Sequence, residues 1–369
     1  MRIALLHPTY WPEVTRGSER LVHDLATTLV SRGHEVTVLT SHPGRSTTSV
    51  ENGVSVVRRR RLPQPPTYGL HEEFLGNVPN VARGLLRGGF DLAHAFHLTD
   101  AWAATRLRRW SGPPVVFSFH GMPTRHHLVA RRNRLEMLQA VVSSAAVSAV
   151  LSEAAARLFQ RYLLHRPKVL PGGVIADDFS VDSTSDGPPT ILCAASLGDP
   201  RKRAGFLAEA FTLLCERRPD VRLHAVRTRD PLMSPDPVEL PSGADWIEAE
   251  STAELARAFA GATASVLTSI DEPFGLVLIE SLAAGTPVVA AASGAAPEIV
   301  DDRAIGRLFD PDDPAACARA MGEALDLASV PETDAACRRR AAEFDWANVV
   351  ELYEEAYEEA SGGGRYFSQ

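Results

Sequence analysis

The sequence predicts an α/β protein built from two doubly wound, Rossmann-like domains, and two observations support this. At 369 residues, the chain exceeds the roughly 250 to 300 residues at which a single hydrophobic core stops growing. Short apolar runs also alternate with longer amphipathic stretches, which is the pattern of parallel strands connected by helices. The runs are almost continuously apolar, as strands covered by helices on both faces must be.

The predicted strands fall into two groups. In the first half of the chain they lie at residues 3–7, 36–40, 92–96, 115–119 and 147–151, and in the second half at residues 191–195, 221–226, 265–268 and 288–290. The alternation of strand and helix patterns stops at Leu170-Pro-Gly-Gly-Val174, and a segment rich in Ser, Asp, Gly and Pro follows at residues 177–189. Such a break favours a domain boundary, so we expect domains at residues 1–174 and 175–345.

The C-terminal segment at about residues 346–360 is predicted to be a helix. Val349, Val350, Tyr353 and Tyr357 recur every three or four residues, which places an apolar stripe on one face of an otherwise acidic helix. That stripe must be buried, and we expect the helix to pack back on the first domain.

Composition narrows the class of protein. Apolar residues make up 45% and charged residues 23% of the chain, as in ordinary globular proteins. The four cysteines lack the short paired spacings of zinc or redox motifs and are predicted to be reduced thiols. There is no run of 18 apolar residues to span a bilayer, and the first apolar run is too short for a signal peptide. A cytoplasmic location is expected.

Charge is distributed unevenly along the chain. Residues 1–175 carry 22 Lys+Arg against 11 Asp+Glu, whereas the remainder carries 16 against 35, giving the overall net charge of −8. The first half is therefore net positive. A functional basic surface and a chance clustering of arginines both fit this asymmetry.

The most informative motif is TSIDEPFGLVLIE at residues 268–280. It leaves a predicted strand, turns at a proline and is predicted to open a helix at about Gly275. Ligands of open α/β sheets bind beyond the carboxyl ends of the strands, and the amides at a helix N-terminus favour an anion such as a diphosphate. Glu280 lies about 7 to 8 Å along the helix axis, within reach of a ribose beside that diphosphate. Taken alone, Glu280 is typical of a solvated helix residue and Glu272 of a partner of the helix dipole.

This segment resembles the signature of glycosyltransferase family 4, whose members are retaining, nucleotide-sugar-dependent enzymes of GT-B fold. The family pattern is E-x7-E before a Gly-Thr/Pro-Val strand, and here Glu272 and Glu280 precede SLAAGTPVV. The resemblance implies two Rossmann-like domains facing each other across a cleft. It also implies that Glu272 contacts the donor sugar, that Glu280 contacts the ribose, and that the sugar and diphosphate meet the backbone of Phe274, Gly275, Leu276 and Val277.

Two features of the first domain also resemble the family. The segment TRGSERLVHDL looks like its glycine-rich loop, but Arg16 replaces the first of two glycines and only Gly17 remains. The resemblance implies that Gly17 lets the backbone approach the donor, and Arg16 is expected to supply charge to a phosphate. His120 ends the predicted strand VVFSFH and matches a histidine under the donor sugar, where a ring N–H would be donated to a sugar hydroxyl. A strand-end histidine without a role is the alternative.

The segment ASLGDPRKR at residues 195–203 resembles the family's basic loop. Lys202 fits the lysine that neutralises the leaving diphosphate, but Ser196 stands where an arginine is usual. The second cation is therefore expected to be Arg201 or Arg203, since a developing diphosphate charge must be stabilised by cations and helix ends. A solvated basic loop is the alternative.

The resemblance implies a hexosyltransferase that transfers sugar from a nucleotide diphosphate sugar to an acceptor hydroxyl, with His120, Glu272 and Lys202 as catalytic residues and no metal or cofactor. A nucleotide-sugar epimerase or a sugar phosphorylase on the same fold is the alternative. No nucleic-acid partner is expected. The acceptor stays open, because the basic stretches 58–61 and 125–134 suit either peripheral contact with an anionic membrane or simple solubility.

Overall fold

The computed structural model describes residues 1–63, 74–131, 133–181, 187–227 and 238–362. Arg132 of the predicted basic stretch and residues 182–186 of the predicted loose segment lie outside these ranges. The chain divides into two compact units. Unit 1 comprises Met1–Pro171 and Trp346–Gln369, and unit 2 comprises Gly172–Asp345.

Unit 1 is an eight-stranded sheet with helices on both faces. Its strands are β1 (Arg2–Leu6), β2 (Glu35–His42), β3 (Thr47–Glu51), β4 (Val54–Arg60), β5 (Leu92–Ala95), β6 (Val115–Phe119), β7 (Val147–Val150) and β8 (Lys168–Val169). Its helices are α1 (Gly17–Ser31), α2 (Val78–Gly88), α3 (Leu98–Arg108), α4 (Arg125–Val129), α5 (Arg134–Ser144), α6 (Glu153–Leu163) and the C-terminal Trp346–Gly362.

The sheet of unit 1 runs in the order β3-β4-β2-β1-β5-β6-β7-β8. All pairings are parallel except that of β3 with β4. The chain moves outward from β1 in one direction and then resumes on the other side at β5, so the topological switch point lies between these two strands. Ligands of doubly wound sheets bind at such points.

The C-terminal helix of unit 1 is anchored by its tyrosines. The Tyr353 hydroxyl donates to the Pro171 carbonyl at 2.9 Å, and the Tyr357 hydroxyl lies 2.8 Å from Nδ1 of the buried His94. On the solvent side, Glu354 accepts hydrogen bonds from Arg32 at 2.8 Å and His34 at 3.0 Å. The predicted apolar stripe is buried, and the polar ends of its tyrosines are satisfied as buried hydroxyls require.

Unit 2 is a six-stranded, entirely parallel sheet in the order β11-β10-β9-β12-β13-β14. Its strands are β9 (Thr190–Cys193), β10 (Arg222–Arg227), β11 (Ala244–Glu248), β12 (Ala264–Leu267), β13 (Val288–Ala291) and β14 (Gly306–Phe309). Its helices are α7 (Ala204–Cys215), α8 (Thr252–Ala260), α9 (Leu276–Ala283), α10 (Ala296–Ile299), α11 (Pro314–Leu327) and α12 (Thr333–Ala342), and the C-terminal helix of unit 1 is accordingly α13. The switch point here lies between β9 and β12.

The predicted fold class is confirmed, and every predicted strand is present. The sequence prediction did not include β3, β4, β8, β11 and β14. All of these except β4 are edge strands, and β4 lies next to the edge strand β3. β4 alternates buried with partly buried residues, β3 has no buried residue, and β8 is only two residues long. Continuous apolar runs mark strands that are buried on both faces, and edge strands lack such runs. Among the described residues, no helix has the length and apolar character needed to cross a bilayer.

Candidate active site

An ion pair marks the switch point of unit 2. Lys202 ends the loop after β9, Glu272 lies in the loop after β12, and Lys202 Nζ is 2.8 Å from Glu272 Oε2. The two side chains are only 18% and 17% exposed, so solvent screens their interaction less than that of a surface pair. Two residues that the sequence singled out separately are therefore in direct contact, where ligands of this fold bind.

Helix α9 begins beside this pair. Gly275 is its N-terminal cap and has φ +100°, a conformation that favours glycine over residues with a Cβ. The helix starts at Leu276, so the predicted opening at about Gly275 is confirmed. Phe274 is buried, and its ring packs edge-on against Phe344 at 5.8 Å. Its side chain therefore packs in the core, and only its backbone is left to meet a ligand.

Glu280 is not the solvated helix residue that its sequence context allowed as an alternative. It is 1% exposed, in a helix whose neighbours Leu278, Ile279 and Leu282 are also buried. A carboxylate is rarely buried without a specific role or partner. Its position along α9 is fixed by the packing of this helix rather than by solvent.

Two further segments hold the ion pair in place. The Thr268 hydroxyl at the end of β12 donates to the Lys202 carbonyl at 2.7 Å, which ties the two loops together. The loop after β13 supports Glu272, since the Ala295 amide donates to the Glu272 carbonyl at 2.9 Å and the Asp271 amide donates to the Ser293 hydroxyl at 3.0 Å. Sequence reasoning missed these roles, although Thr268 and the SGA triplet at residues 293–295 both follow strands at the ligand-binding edge.

Gly294 has a steric role in that support. A Cβ at this position would lie 2.4 Å from the Glu272 carbonyl oxygen and 2.6 Å from its amide nitrogen, and φ is +59°. Both distances are below any tolerable contact, and the conformation disfavours other residues. Only glycine lets the two loops pass this closely.

The two candidate arginines differ in their surroundings. The Arg203 guanidinium donates to the Pro311 carbonyl at 2.7 Å and lies 4.1 Å from the centre of the Phe206 ring. Arg201 pairs with Asp199 at 2.5 Å and its side chain is 72% exposed. Hydrogen bonding to Asp199 and the charges of Asp199 and Glu272 raise the pKa of Arg201 above its ordinary value, against the effect of burial. Arg203 is thus held by Pro311 and Phe206, whereas the more exposed Arg201 is paired with Asp199 and lies within the influence of the Glu272 charge.

His120 follows β6 in unit 1 and contacts the first turn of α1. Its Nδ1 lies 2.8 Å from Ser18 Oγ, and Ser18 Oγ lies 3.1 Å from Nε2 of His7, which follows β1. His120 as a whole is half-buried, but its Nε2 atom is buried and forms no hydrogen bond with any residue of the described ranges. Burial lowers the pKa of His120 to about 3, with a smaller contribution from His7, so the ring is neutral at physiological pH.

The glycine-rich loop ends at α1. Arg16 is the N-terminal cap in an extended conformation and Gly17 is the exposed first residue of the helix. One face of α1 is buried through Leu21, Val22 and Leu25, so the first turn, and with it Ser18, is fixed against the sheet. The structure thus brings Ser18 to His120 and leaves Gly17 at the surface of its own unit.

The basic stretch 58–61 is only partly a surface feature. Arg58 is 7% exposed and forms ion pairs with Glu51 and Glu13. Arg61 donates to the Ser41 hydroxyl and lies 5.2 Å from the centre of the Phe74 ring. Half of this arginine cluster is therefore used within unit 1, which reduces the charge that it presents to a partner.

Comparison with known proteins identifies the family. The model described as Glycosyltransferase Family 4 matches residues 15–178, and the model described as Glycosyl transferases group 1 matches residues 188–326. The phosphatidyl-myo-inositol mannosyltransferase of Mycobacterium tuberculosis is 29% identical over an alignment that covers 99% of this chain and 98% of the relative. The chain belongs to glycosyltransferase family 4. It is a glycosyltransferase, as the resemblance of the 268–280 motif implied.

Solved structures agree with the GT-B fold of family 4. Sucrose-phosphate synthase from Thermosynechococcus elongatus superposes with a TM-score of 0.82 at 22% identity, covering 98% of this chain and 100% of the other. The Anabaena protein HepE, solved in complex with UDP-glucose, superposes with a TM-score of 0.74 at 18% identity, covering 96% of this chain and 98% of the other. At these identities the likeness shows the fold.

Proposed function

We propose that this family 4 protein is a retaining glycosyltransferase that moves a hexose-type sugar from a nucleotide diphosphate sugar to an acceptor hydroxyl. The observation that carries the proposal is the Lys202–Glu272 pair, 2.8 Å apart, beside the glycine-capped start of α9 at the switch point of unit 2. A cation and a helix N-terminus suit a diphosphate, and the adjacent carboxylate suits sugar hydroxyls.

Two groups stabilise the leaving diphosphate in this proposal. The backbone amides at Gly275, Leu276 and Val277 point toward the anion with the positive end of the α9 dipole. Lys202 contributes a full positive charge, held in place by the bond from Thr268 to its carbonyl. Stabilisation of the charge that develops in the transition state is the largest single contribution to the rate acceleration in many enzymes.

Arg201 is our choice for the second cation. Its side chain is 72% exposed and it is influenced by the Glu272 charge, whereas the Arg203 guanidinium already binds the Pro311 carbonyl and the Phe206 ring. Arg201 would exchange part of its interaction with Asp199 for a phosphate oxygen. Bidentate contact with phosphate is a geometry for which arginine is well suited.

Glu272 and Glu280 bind the two sugars of the donor in this proposal. Glu272, fixed by the loop after β13, accepts hydrogen bonds from hydroxyls of the transferred sugar. Glu280, about 7 to 8 Å along α9 from the diphosphate site, accepts hydrogen bonds from ribose hydroxyls. HepE, which shares the fold, is solved with UDP-glucose, and this supports a nucleotide-sugar donor of the same chemical class.

The proposed reaction takes place on one face of the sugar. The bond between the anomeric carbon and the diphosphate oxygen breaks as Lys202, Arg201 and the start of α9 take up the charge. The acceptor hydroxyl forms its bond to the anomeric carbon from the same face, and its proton goes to the departing phosphate oxygen. No protein nucleophile and no metal ion is needed in this scheme. The epimerase and phosphorylase alternatives are not favoured, because both family models describe glycosyltransferases.

A donor panel tests the proposal. Purified protein is incubated with UDP-, GDP- and dTDP-sugars, and release of the nucleotide diphosphate is measured with and without candidate acceptors. NMR of the product then compares the anomeric configuration with that of the donor, and EDTA treatment tests the metal requirement. Retention of configuration and activity in EDTA are expected. Inversion, or no binding of any nucleotide diphosphate sugar, would overturn the proposal.

A lipid-linked acceptor is the first class to test, because the mycobacterial relative is named a phosphatidyl-myo-inositol mannosyltransferase. Basic residues of unit 1 would then contact an anionic membrane. Flotation with anionic and with neutral liposomes at low salt measures this directly, since electrostatic attachment requires anionic lipid and weakens with salt. Equal flotation with both kinds of liposome, or none, would leave a soluble acceptor as the working proposal.

A further inference from the structure

The hydrogen bonds around His120 determine which of its ring nitrogens carries the proton. Three short contacts run in series from the Thr9 carbonyl through His7 and Ser18 to His120, at 2.6, 3.1 and 2.8 Å. All four residues belong to unit 1. A series of hydrogen bonds that begins at a group with a fixed role has only one consistent direction.

The series begins at the Thr9 carbonyl oxygen, which can only accept. His7 Nδ1 lies 2.6 Å from this oxygen, and the Thr9 amide and hydroxyl approach the same nitrogen at a longer 3.3 Å. Two lone pairs cannot face each other at 2.6 Å, so a proton lies in the shortest contact and Nδ1 is assigned as its donor. Burial lowers the pKa of His7 below its ordinary value, and smaller effects of Glu19 and the Thr9 backbone oppose it. The ring is therefore neutral at physiological pH and carries a single N–H. His7 Nε2 then has no proton and is an acceptor.

Ser18 has one hydroxyl proton to donate. Its oxygen lies 3.1 Å from His7 Nε2, an acceptor that needs a donor, so the serine proton is directed to His7. The same oxygen lies 2.8 Å from His120 Nδ1. With its own proton used, Ser18 can only accept from His120, and His120 Nδ1 must carry the proton. The neutral ring then leaves Nε2 as a bare acceptor.

We propose that Ser18 and His7 are positioning residues that fix His120 as the Nδ1–H tautomer, so that its Nε2 accepts a hydrogen bond from a substrate hydroxyl. This inference rests on the proposed glycosyl transfer for the identity of the substrate. The Nε2 atom is buried and has no partner among the described residues, and a buried polar atom without a partner is destabilising unless a ligand supplies one.

The direction of this bond has a consequence for specificity. The sequence predicts that His120 donates a ring N–H to the substrate, whereas the inferred direction is the reverse. A group that presents O–H to Nε2 is bound. A carboxylate, a phosphate oxygen or a carbonyl would place its own lone pair against that of Nε2 and is disfavoured. His120 therefore selects a hydroxyl at this position of the substrate.

NMR of protein labelled with 15N in its histidines tests the tautomer directly. The protonated and unprotonated nitrogens of a neutral imidazole have well separated 15N shifts, and the His120 signals are assigned by their loss in His120→Gln. We expect Nδ1 of His120 to be the protonated nitrogen in the wild type. Protonation at Nε2 instead would overturn the inference whatever the activity of the protein.

Two substitutions test whether the series controls the tautomer. Ser18→Ala removes the acceptor for His120 Nδ1–H, and His7→Phe removes the acceptor that engages the serine proton, which lets Ser18 donate to His120 instead. Both should increase the Nε2–H population of His120, although His7 does not contact that ring through a hydrogen bond. Ser18→Thr, which keeps a hydroxyl, should retain the wild-type tautomer.

Activity supplies the second measurement. We expect Ser18→Ala to lower kcat/KM about 10-fold, the effect of one lost hydrogen bond, and Ser18→Thr to restore most of it. Ser31→Ala, at the exposed end of the same helix, is the matched control and should match the wild type. Unchanged tautomer populations in Ser18→Ala and His7→Phe would reduce both residues to structural roles. Failure of all donors in the presence of the expected tautomer would instead count against the proposed function.

Discussion

Lys202 Nζ lies 2.8 Å from Glu272 Oε2, which joins the cation proposed for the diphosphate to the carboxylate proposed for the transferred sugar. The two residues are 70 positions apart in the chain and come from loops on either side of the switch point in unit 2. Because the two side chains are in contact, the effects of substituting them are expected to be coupled. Their roles can nevertheless be separated by the ligand used.

Glu272→Gln should discriminate between the nucleotide and the sugar. The substitution keeps the size of the side chain but removes the negative charge of the carboxylate, which accepts hydrogen bonds from the sugar hydroxyls. We expect the Kd for the nucleoside diphosphate to stay within about twofold, while kcat/KM with the sugar donor falls roughly 10²-fold to 10³-fold, the range for a lost transition-state contact. Calorimetry with both ligands and initial rates provide the measurements.

Lys202→Met should weaken both ligands. It removes the cation, so the Kd for the nucleoside diphosphate itself should rise at least about 10-fold, since charge-assisted bonds contribute about 1.5 to 3 kcal/mol. In the double variant Lys202→Met/Glu272→Gln, kcat/KM should fall by less than the product of the two single effects, because substitutions of contacting residues are not additive. Unchanged diphosphate binding in Lys202→Met, or strict additivity, would contradict the proposed roles.

Arg201→Ala should mainly lower activity, whereas Arg203→Ala should mainly lower stability. Loss of Arg201 is expected to lower kcat/KM about 10-fold with little change in unfolding. Loss of Arg203 removes the bond to the Pro311 carbonyl and the contact with the Phe206 ring, and should lower the free energy of unfolding by about 1 to 2 kcal/mol. Urea unfolding and initial rates on both variants measure the two effects, and the reverse pattern would assign the second cation to Arg203.

Gly294→Ala should reduce activity through the backbone of Glu272. The added Cβ would lie 2.4 Å from the Glu272 carbonyl oxygen, so the loop that carries Glu272 must shift. We expect kcat/KM to fall about 10-fold to 100-fold, which corresponds to about 1.4 to 2.8 kcal/mol, while circular dichroism stays that of the wild type.

Gly322→Ala is the matched control for Gly294→Ala. Gly322 lies within α11, and its added Cβ would meet only Leu214 Cδ1, at an ordinary 3.7 Å. This variant should be stabilised by about 0.5 to 1 kcal/mol through helix propensity and keep full activity. Equal losses of activity in both glycine variants would show that the effect at Gly294 is not specific to the candidate site.

The sequence predicted the central strands but not the edges. Strands such as β6 and β12 are buried on both faces and read as nearly continuous apolar runs. By contrast, β4, next to an edge, alternates, and the edge strand β14 contains Arg307 and an exposed Leu308. Edge strands face solvent along one side and carry mixed sequences. Such strands form by pairing with neighbouring strands that the fold places beside them, and a local sequence pattern does not show this pairing.

The candidate site was predictable residue by residue but not as a constellation. The motif that contains Glu272 and Glu280 is local, and Lys202 lies in a recognisable basic loop. The support from Ser293 and Gly294 acts on backbone atoms 22 positions away, so no pattern of side chains in the sequence indicates it. Likewise, the tautomer of His120 depends on distances to Ser18 and, through it, to His7, and distances are a property of the fold alone.

Asp100 provides a prediction about stability rather than activity. This carboxyl group in the first turn of α3 is fully buried and accepts a hydrogen bond from Asn77 Nδ2 at 3.0 Å. Burial raises its pKa from the ordinary 3.8 to about 7, partly offset by Asn77. Between these pH values the folded protein binds a proton that the unfolded chain has released, so the contribution of Asp100 to stability is lost as the pH rises from about 4 through 7.

Asp100→Asn replaces the protonated acid with a neutral isostere and should remove this dependence. The difference in unfolding free energy between variant and wild type should move in favour of the variant by on the order of 2 kcal/mol between pH 5 and pH 8. Tryptophan fluorescence in urea reports mainly on unit 1, because only Trp246 of the five tryptophans lies in unit 2. The exposed Asp91→Asn tests whether loss of any carboxylate has the same effect. If the difference in unfolding free energy between Asp100→Asn and wild type is the same at both pH values, Asp100 is ionised in the folded protein throughout this range. Its buried charge would then be stabilised by hydrogen bonds or charges instead of by protonation.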